Sequence, residues 1–271
     1  MTTDPRPVRN FRMELSFDGT AYHGWQRQAN GISVQEVVEN KLSHLFNTDR
    51  IRIQGSSRTD SGVHALGMAA SFEAPESPYI PDWKIKKAMN RLLPPDIRIR
   101  SVDYAAPDFN ARFSAKGKAY IYVVNTGDLN PFTSRWSHYQ PEFVQLDAVR
   151  DSMKMLEGTH DFSAFTIELD PEKDHVRTLY RLDLKQFGPL VCMCFVGNGF
   201  LYKMVRSMAG ALLEVGRGRM PAVRVGEMLA SKNRSMAKDT APACGLFLMK
   251  VFYEDDEWRS FDFDTPPFFV L

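Results

Sequence analysis

Phe11, Met13, Leu15 and Phe17 alternate with polar neighbours, the period-two signature of a half-buried strand. Asp18-Gly19-Thr20 ends that run with turn residues. Ser33 and Glu36 form a capping box ahead of Val34, Val37, Val38, Leu42, Leu45 and Phe46, which fall at helical spacing. Ile51 and Ile53 open a second strand, and Leu66 to Phe72 reads as a third. Ile85, Ala88, Met89, Leu92 and Leu93 predict a second amphipathic helix, stopped by Pro94-Pro95. Ile97, Ile99 and Val102 give a fourth strand. The order is β-α-β-β-α-β, that of the split βαβ or ferredoxin-like unit.

The second half repeats the pattern. Ala119 to Val124 reads as a strand, and Asp147 is the expected cap of a helix carrying Val149, Met153 and Leu156. Val176–Phe187 and Leu190–Val196 read as strands paired around Gly188-Pro189. Leu201, Met204, Val205, Met208 and Leu212 predict a long helix, Leu229 belongs to a shorter one, and Leu246–Tyr253 closes as a strand. The expected fold is α+β, with two ferredoxin-like units, antiparallel-type sheets and a cleft between them. Ligand sites favour such domain interfaces. The expected division is residues 1–108, residues 109–254, and an acidic, aromatic tail over 255–271.

Composition refines this picture. The 271 residues are 44% hydrophobic and 25% charged, ordinary for a soluble globular chain. No apolar run reaches the roughly 20 residues that span a bilayer, and the first residues do not read as a secretory signal. Cys192 and Cys194 alternate within an apolar run, Cys244 stands apart, and no Cys-x-x-Cys occurs. Free thiols in a reducing cytoplasm are the expectation. The net charge of +1 hides a segregation: residues 200–240 hold eight Lys/Arg against three acids, and residues 254–264 hold six acids against Arg259. A basic segment of this kind is either a nucleic-acid footprint or a solvated face balanced by the acidic tail.

The candidate chemistry centres on Gly55-Ser-Ser-Arg-Thr-Asp-Ser-Gly-Val-His-Ala65. It places a carboxylate, Asp60, in a turn-forming loop between two strands, where a scaffold can present a reactive group. A carboxylate can be nucleophile, base or electrostatic stabiliser, and a nearby cation keeps it ionised. Lys203 and Arg206, both off the apolar stripe of the long helix, are candidate cations; helix cations are more often surface charges. Tyr120 and Tyr122 share one face of a strand in Lys118-Ala-Tyr-Ile-Tyr122. An aromatic beside basic residues suits base stacking, although core packing is the commoner use of strand tyrosines. Gly197-Asn198-Gly199 lacks the third glycine of a dinucleotide loop. Phosphate-loop, zinc-protease and nucleophile-elbow motifs are absent from the sequence. Ser61 and His64 read as supports of the loop rather than members of a triad.

Taken together these residues resemble the TruA family of tRNA pseudouridine synthases. The resemblance runs from about residue 11 to 253. It is carried by Phe17-Asp-Gly-Thr-x-Tyr22-x-Gly24-Trp-Gln26, Ser33-Val-Gln35, Arg58-Thr-Asp-Ser-Gly-Val-His-Ala65 and Phe109-x-Ala111-Arg-Phe-Ser-Ala115. Glu157-Gly-x-His160-x-Phe162, Val176-Arg-Thr178, Gly199-Phe-Leu-Tyr202-x-Met204-Val-Arg206 and Ala241-Pro-Ala-x-Gly245-Leu246 continue it.

The resemblance implies a duplicated ferredoxin-like fold, a homodimer, no metal or cofactor, and tRNA as partner. It implies conversion of uridine to pseudouridine in the anticodon stem-loop, at positions 38 to 40 of the tRNA. It makes Asp60 the nucleophile and Tyr120 the ring that stacks on the flipped uracil and serves as base at C5. Arg206 becomes the ion-pair partner of Asp60, Arg58 opens the site for the extruded nucleotide, and Leu246 lines the pocket. Lys203 joins the substrate-binding residues. Three positions depart from the family pattern: Ser57 for Gly, Ser61 for Ala and Met68 for Gln. The acidic segment Glu168–Asp174 stands where an RNA-facing loop is expected, and the tail from Trp258 reads as an apolar strap on its own domain. The rival readings are a catalytically silent tRNA-binding paralogue and a carboxylate-dependent hydrolase of small molecules, the latter weakened by the lack of a paired acid or metal cluster.

Overall fold

The computed structural model describes residues 7–167, 170, 173–237 and 239–269. Two compact units emerge, Met1–Ala115 and Lys116–Leu271. In the first, β1 (Val8–Phe17), α1 (Val34–Leu45), β2 (Ile53–Gly55), β3 (His64–Pro75), α2 (Asp82–Leu92) and β4 (Ile97–Tyr104) follow in chain order. The strands pair antiparallel in the order β4-β1-β3-β2. Phe11, Met13, Leu15 and Phe17 are buried along one face of β1, with intervening residues half-buried, as the alternation predicts. Ser33 caps α1 by accepting from the Glu36 amide.

Helix α1 also fixes the strand that feeds the Asp60 loop. Gln35 donates from Nε2 to the Ile53 carbonyl and accepts at Oε1 from the Arg27 amide, at 3.0 and 2.9 Å. Buried Glu39 accepts from the Ile53 amide at 3.1 Å and faces Arg27 and Arg50 at 3.3 and 3.6 Å. A buried carboxylate persists only with such partners, so β2 is held although it is three residues long.

In the second unit come β5 (Gly117–Asn125), β6 (His138–Tyr139), α3 (Leu146–Leu156), β7 (Gly158–Asp161), β8 (Val176–Phe187), β9 (Leu190–Gly197), α4 (Met204–Gly216), α5 (Val223–Ser231) and β10 (Leu246–Phe252). The order β10-β5-β9-β8 matches that of the first unit, with β7 beyond β8 and β6 parallel to β5. Two local expectations are corrected. Asp147 does not cap α3; the capping position is Gln145, and Asp147 sits exposed in the first turn, paired with Arg150 at 2.9 Å. The long helix begins at Met204 rather than Leu201.

The tail lies against the second unit. Trp258 stacks on Tyr180 with centroids 4.9 Å apart, and Phe261 packs edge-on to Phe252 at 5.9 Å. Lys185 pairs with Asp262 at 2.6 Å. These contacts support the strap reading. Glu168, Leu169, Pro171 and Glu172 of the acidic segment lie outside the described residues, as do Val270 and Leu271 of the tail. Among the described residues no helix is long and apolar enough to cross a membrane.

Candidate active site

The Asp60 loop leaves β2 at Gly55 and enters β3 at His64. Its first residue stays tied to the sheet, the Ser56 amide donating to the Ala69 carbonyl at 2.8 Å. The Ser56 hydroxyl meets the sulfur of buried Met68 at 3.4 Å, so Met68 packs against the start of the loop. The Val63 amide donates to the Asp60 carbonyl at 3.1 Å, which closes a turn around Gly62 at φ 79°. Glycine tolerates that left-handed conformation at no steric cost. Asp60 is half-buried and Arg58 exposed.

The segment Phe17–Gln26 forms the floor of this loop. Gly24 lies at φ 80°, and a Cβ there would collide with the Thr59 carbonyl and come within 3.0 Å of the Asp60 carbonyl carbon and 3.1 Å of the Ser61 nitrogen. A Cβ on Gly19 would collide with the Val63 carbonyl. Two glycines therefore let one backbone lie directly on another. Hydrogen bonds lock the contact: the Trp25 amide donates to the Thr59 carbonyl at 3.1 Å, and the Ser61 hydroxyl donates to the Tyr22 carbonyl at 3.1 Å. Trp25 is buried beneath, its indole against Gly55.

Two polar links, one buried and one half-buried, brace the floor. His64 Nδ1 lies 3.1 Å from both the Gly19 amide and Asp18 Oδ1. Burial pushes the Asp18 carboxyl upward, but the neighbouring His64 ring and hydrogen bonds from the Thr20 hydroxyl and amide outweigh it and hold Asp18 well below the usual carboxylate range. The Tyr22 hydroxyl donates to Asp96 Oδ1 at 2.7 Å; burial and that carboxylate both push the phenol upward. Ser61 and His64 thus act as loop supports, with the Ser61 hydroxyl directed to a backbone carbonyl.

The second unit supplies the other candidates. Tyr120 is 6% exposed, paired between Phe195 of β9 and Leu248 of β10, with its ring edge-on to Phe200 at 5.1 Å. Leu246 is buried and sits opposite Tyr122, so Tyr120, Tyr122 and Leu246 share one face of adjacent strands. The Tyr122 hydroxyl donates to the Pro242 carbonyl at 3.0 Å. Burial raises its phenol well above the ordinary value, Cys244 adds to this and Arg206 opposes it. Arg206 donates from Nε to the Ala241 carbonyl at 2.8 Å, and the Ala241 amide donates to the Arg206 carbonyl at 2.9 Å. Helix α4 and the Ala241–Leu246 motif are thereby tied together.

Lys203 departs from its expected place within the helix. It is the capping residue ahead of Met204, left-handed at φ 57°, and its carbonyl accepts from the Ser207 amide at 2.9 Å. Its ammonium lies over the Tyr202 ring at 5.4 Å. A residue in that conformation cannot continue a right-handed helix, so the apolar stripe overstates the helix by one turn at this end. Sequence reasoning passed over Asp96, whose signal would have been a lone acid after Pro94-Pro95.

A family model described as tRNA pseudouridine synthase matches residues 15–114 and 153–254. A relative from Geobacillus kaustophilus named tRNA pseudouridine synthase A is 40% identical over 243 residues, covering 89% of this chain and 93% of that protein. One of the same name from Chlamydia muridarum is 43% identical over 243 residues, covering 89% and 91%.

Proposed function

Because the chain belongs to the tRNA pseudouridine synthase family, isomerases of tRNA uridine, we propose that it acts on the anticodon stem-loop with Asp60 as nucleophile. The observation that carries this reading is the double clamp on the Asp60 loop. Gly19 and Gly24 bring the floor into backbone contact with it, and Trp25, Ser61 and His64 hold it there. Catalytic groups need positioning to a fraction of an ångström, and this loop has that support.

The reaction breaks the bond from C1′ to N1 of uracil, turns the base, and joins C1′ to C5. The C5 proton leaves and N1 gains one, so there is no net oxidation, reduction or hydrolysis. Asp60 either adds to C1′ or promotes a glycal. Tyr120, its ring fixed by Phe200, stacks on the freed base and takes the C5 proton. Arg206, held by Ala241, keeps the carboxylate ionised. Leu246 gives an apolar wall, and Arg58 and Lys203 contact the RNA. Extruding the nucleotide costs a few kcal/mol, which phosphate contacts offset. The strand orders β4-β1-β3-β2 and β10-β5-β9-β8 support reading each unit as ferredoxin-like, and we read the working form as a homodimer.

Mapping pseudouridines in tRNA from cells lacking the gene tests the target. Their loss within the anticodon stem-loop, restored by the wild type and not by Asp60→Ala, is expected. Loss confined to another arm refutes the target, and an unchanged map refutes the activity on tRNA.

A further inference from the structure

The Phe109-x-Ala-Arg-Phe-Ser-Ala115 motif takes no part in the chemistry above, yet the structure builds it with care. The Asn110 carboxamide accepts from the amides of Arg112 and Phe113 at 2.9 and 3.2 Å. Asn110 and Ser114 bond each other through the Asn110 amide and the Ser114 amide, at 3.2 and 2.9 Å. Ala111, fully buried, donates to the Ser71 hydroxyl of β3 at 3.1 Å. Asn10 of β1 donates to the carbonyls of Ala106 and Phe109 at 2.8 and 2.9 Å. This rigid loop displays Phe113 at 77% exposure, with the Arg112 guanidinium 5.4 Å from its ring centroid. Fixing a bare phenyl ring in water gains nothing for folding, since its apolar area stays wet.

The loop's place gives it an occupant. It is anchored on β3 at Ser71, two residues from Ala69, where the Asp60 loop is tied to the same strand. At the strand rise the two anchors are about 7 Å apart. Phe109 and Asn110, at the start of the loop, also line a groove of about 530 Å³ whose other walls include Arg50, Arg52 and Gln54 as well as the acids Glu73 and Asp108. An exposed ring backed by a guanidinium, anchored on the strand that also holds the Asp60 loop, matches how proteins hold unpaired nucleotides: a base stacked on an aromatic ring with basic side chains near its phosphates.

We propose that Phe113, backed by Arg112, is a stacking platform for an unpaired nucleotide of the RNA substrate neighbouring the target uridine. This rests on the tRNA reading above. The test uses the full chain, unmodified tRNA carrying tritium at C5 of its uridines, and the same tRNA with 2-aminopurine at loop positions beside the target. Phe113→Ala is expected to raise KM for tRNA about tenfold or more with kcat retained, and to abolish the binding-induced quenching of one 2-aminopurine. Phe113→Trp is expected to keep both near wild type. Wild-type KM and quenching in Phe113→Ala overturn the proposal, as does Phe113→Trp behaving like the alanine variant. Conversion of Phe113→Ala to monomers in sedimentation, from an oligomeric wild type, overturns it in favour of a second copy of the chain as occupant. Absence of tritium release from the wild type refutes the tRNA reading itself, whereas a release rate at tRNA concentrations well below KM that Phe113→Ala leaves unchanged refutes the platform alone.

Discussion

Replacing Gly24 by alanine separates the floor's effect on catalysis from its effect on stability. Gly24 sits at φ 80°, and left-handed backbone costs an L-residue about 1–2 kcal/mol. The new Cβ would also collide with the Thr59 carbonyl and press on Asp60 and Ser61. These are backbone atoms that cannot swing aside, so the loop itself must shift. A misplacement of about 1 Å at a reacting group costs roughly 10²-fold in rate, and that is the loss in kcat/KM expected for Gly24→Ala. Gly188 in the β8–β9 turn provides the control. Its φ is 59° and a Cβ there meets nothing within 4 Å. Gly188→Ala should lose a similar 1–2 kcal/mol of stability and keep wild-type kcat/KM. Tritium release and thermal melts of both variants check this. Wild-type kcat/KM in Gly24→Ala, or equal losses of activity in both variants, would refute the idea that the floor positions Asp60.

Other outcomes follow from the same contacts. Asp18 has its folded pKa depressed, so its contribution is full above its unfolded value of about 4 and fades as pH falls below that. Chemical denaturation should show wild type about 1–2 kcal/mol above Asp18→Asn at pH 7, the gap closing progressively in acid. Burial pushes the Cys192 and Cys194 thiols up to about 12, so thiol reagents at pH 8 should leave both unmodified until denaturant exposes them; mass mapping of labelled peptides checks this. Trp258→Ala removes the ring stacked on Tyr180 and should lower stability by about 1 kcal/mol with kcat/KM unchanged.

Strand β1 and helices α1 and α2 were legible because their apolar periods run over many residues, whereas β2, three residues long, was legible only through Ile51 and Ile53. Tyr120 and Leu246 were legible as strand residues, and the loop itself as a turn holding a carboxylate. The floor was visible only as a motif. Its function depends on pairings such as Tyr22 with Asp96, 74 positions apart, which no local period encodes. Strands β6 and β7, two and four residues long, are too short to leave a period. Lys203 and Asp147 were misplaced for a common reason. An apolar stripe or a capping residue type marks where a helix can run, whereas the backbone at Lys203 and the bonds of Val144 and Gln145 to the Gly216 carbonyl decide where it starts.

The central claim, that Asp60 performs the isomerisation, is tested most directly by single-turnover tritium release from tRNA labelled at C5 of its uridines. Wild type should release label, and Asp60→Asn, nearly isosteric and still binding tRNA with wild-type affinity, should release none above background. Sustained release by Asp60→Asn would contradict the account.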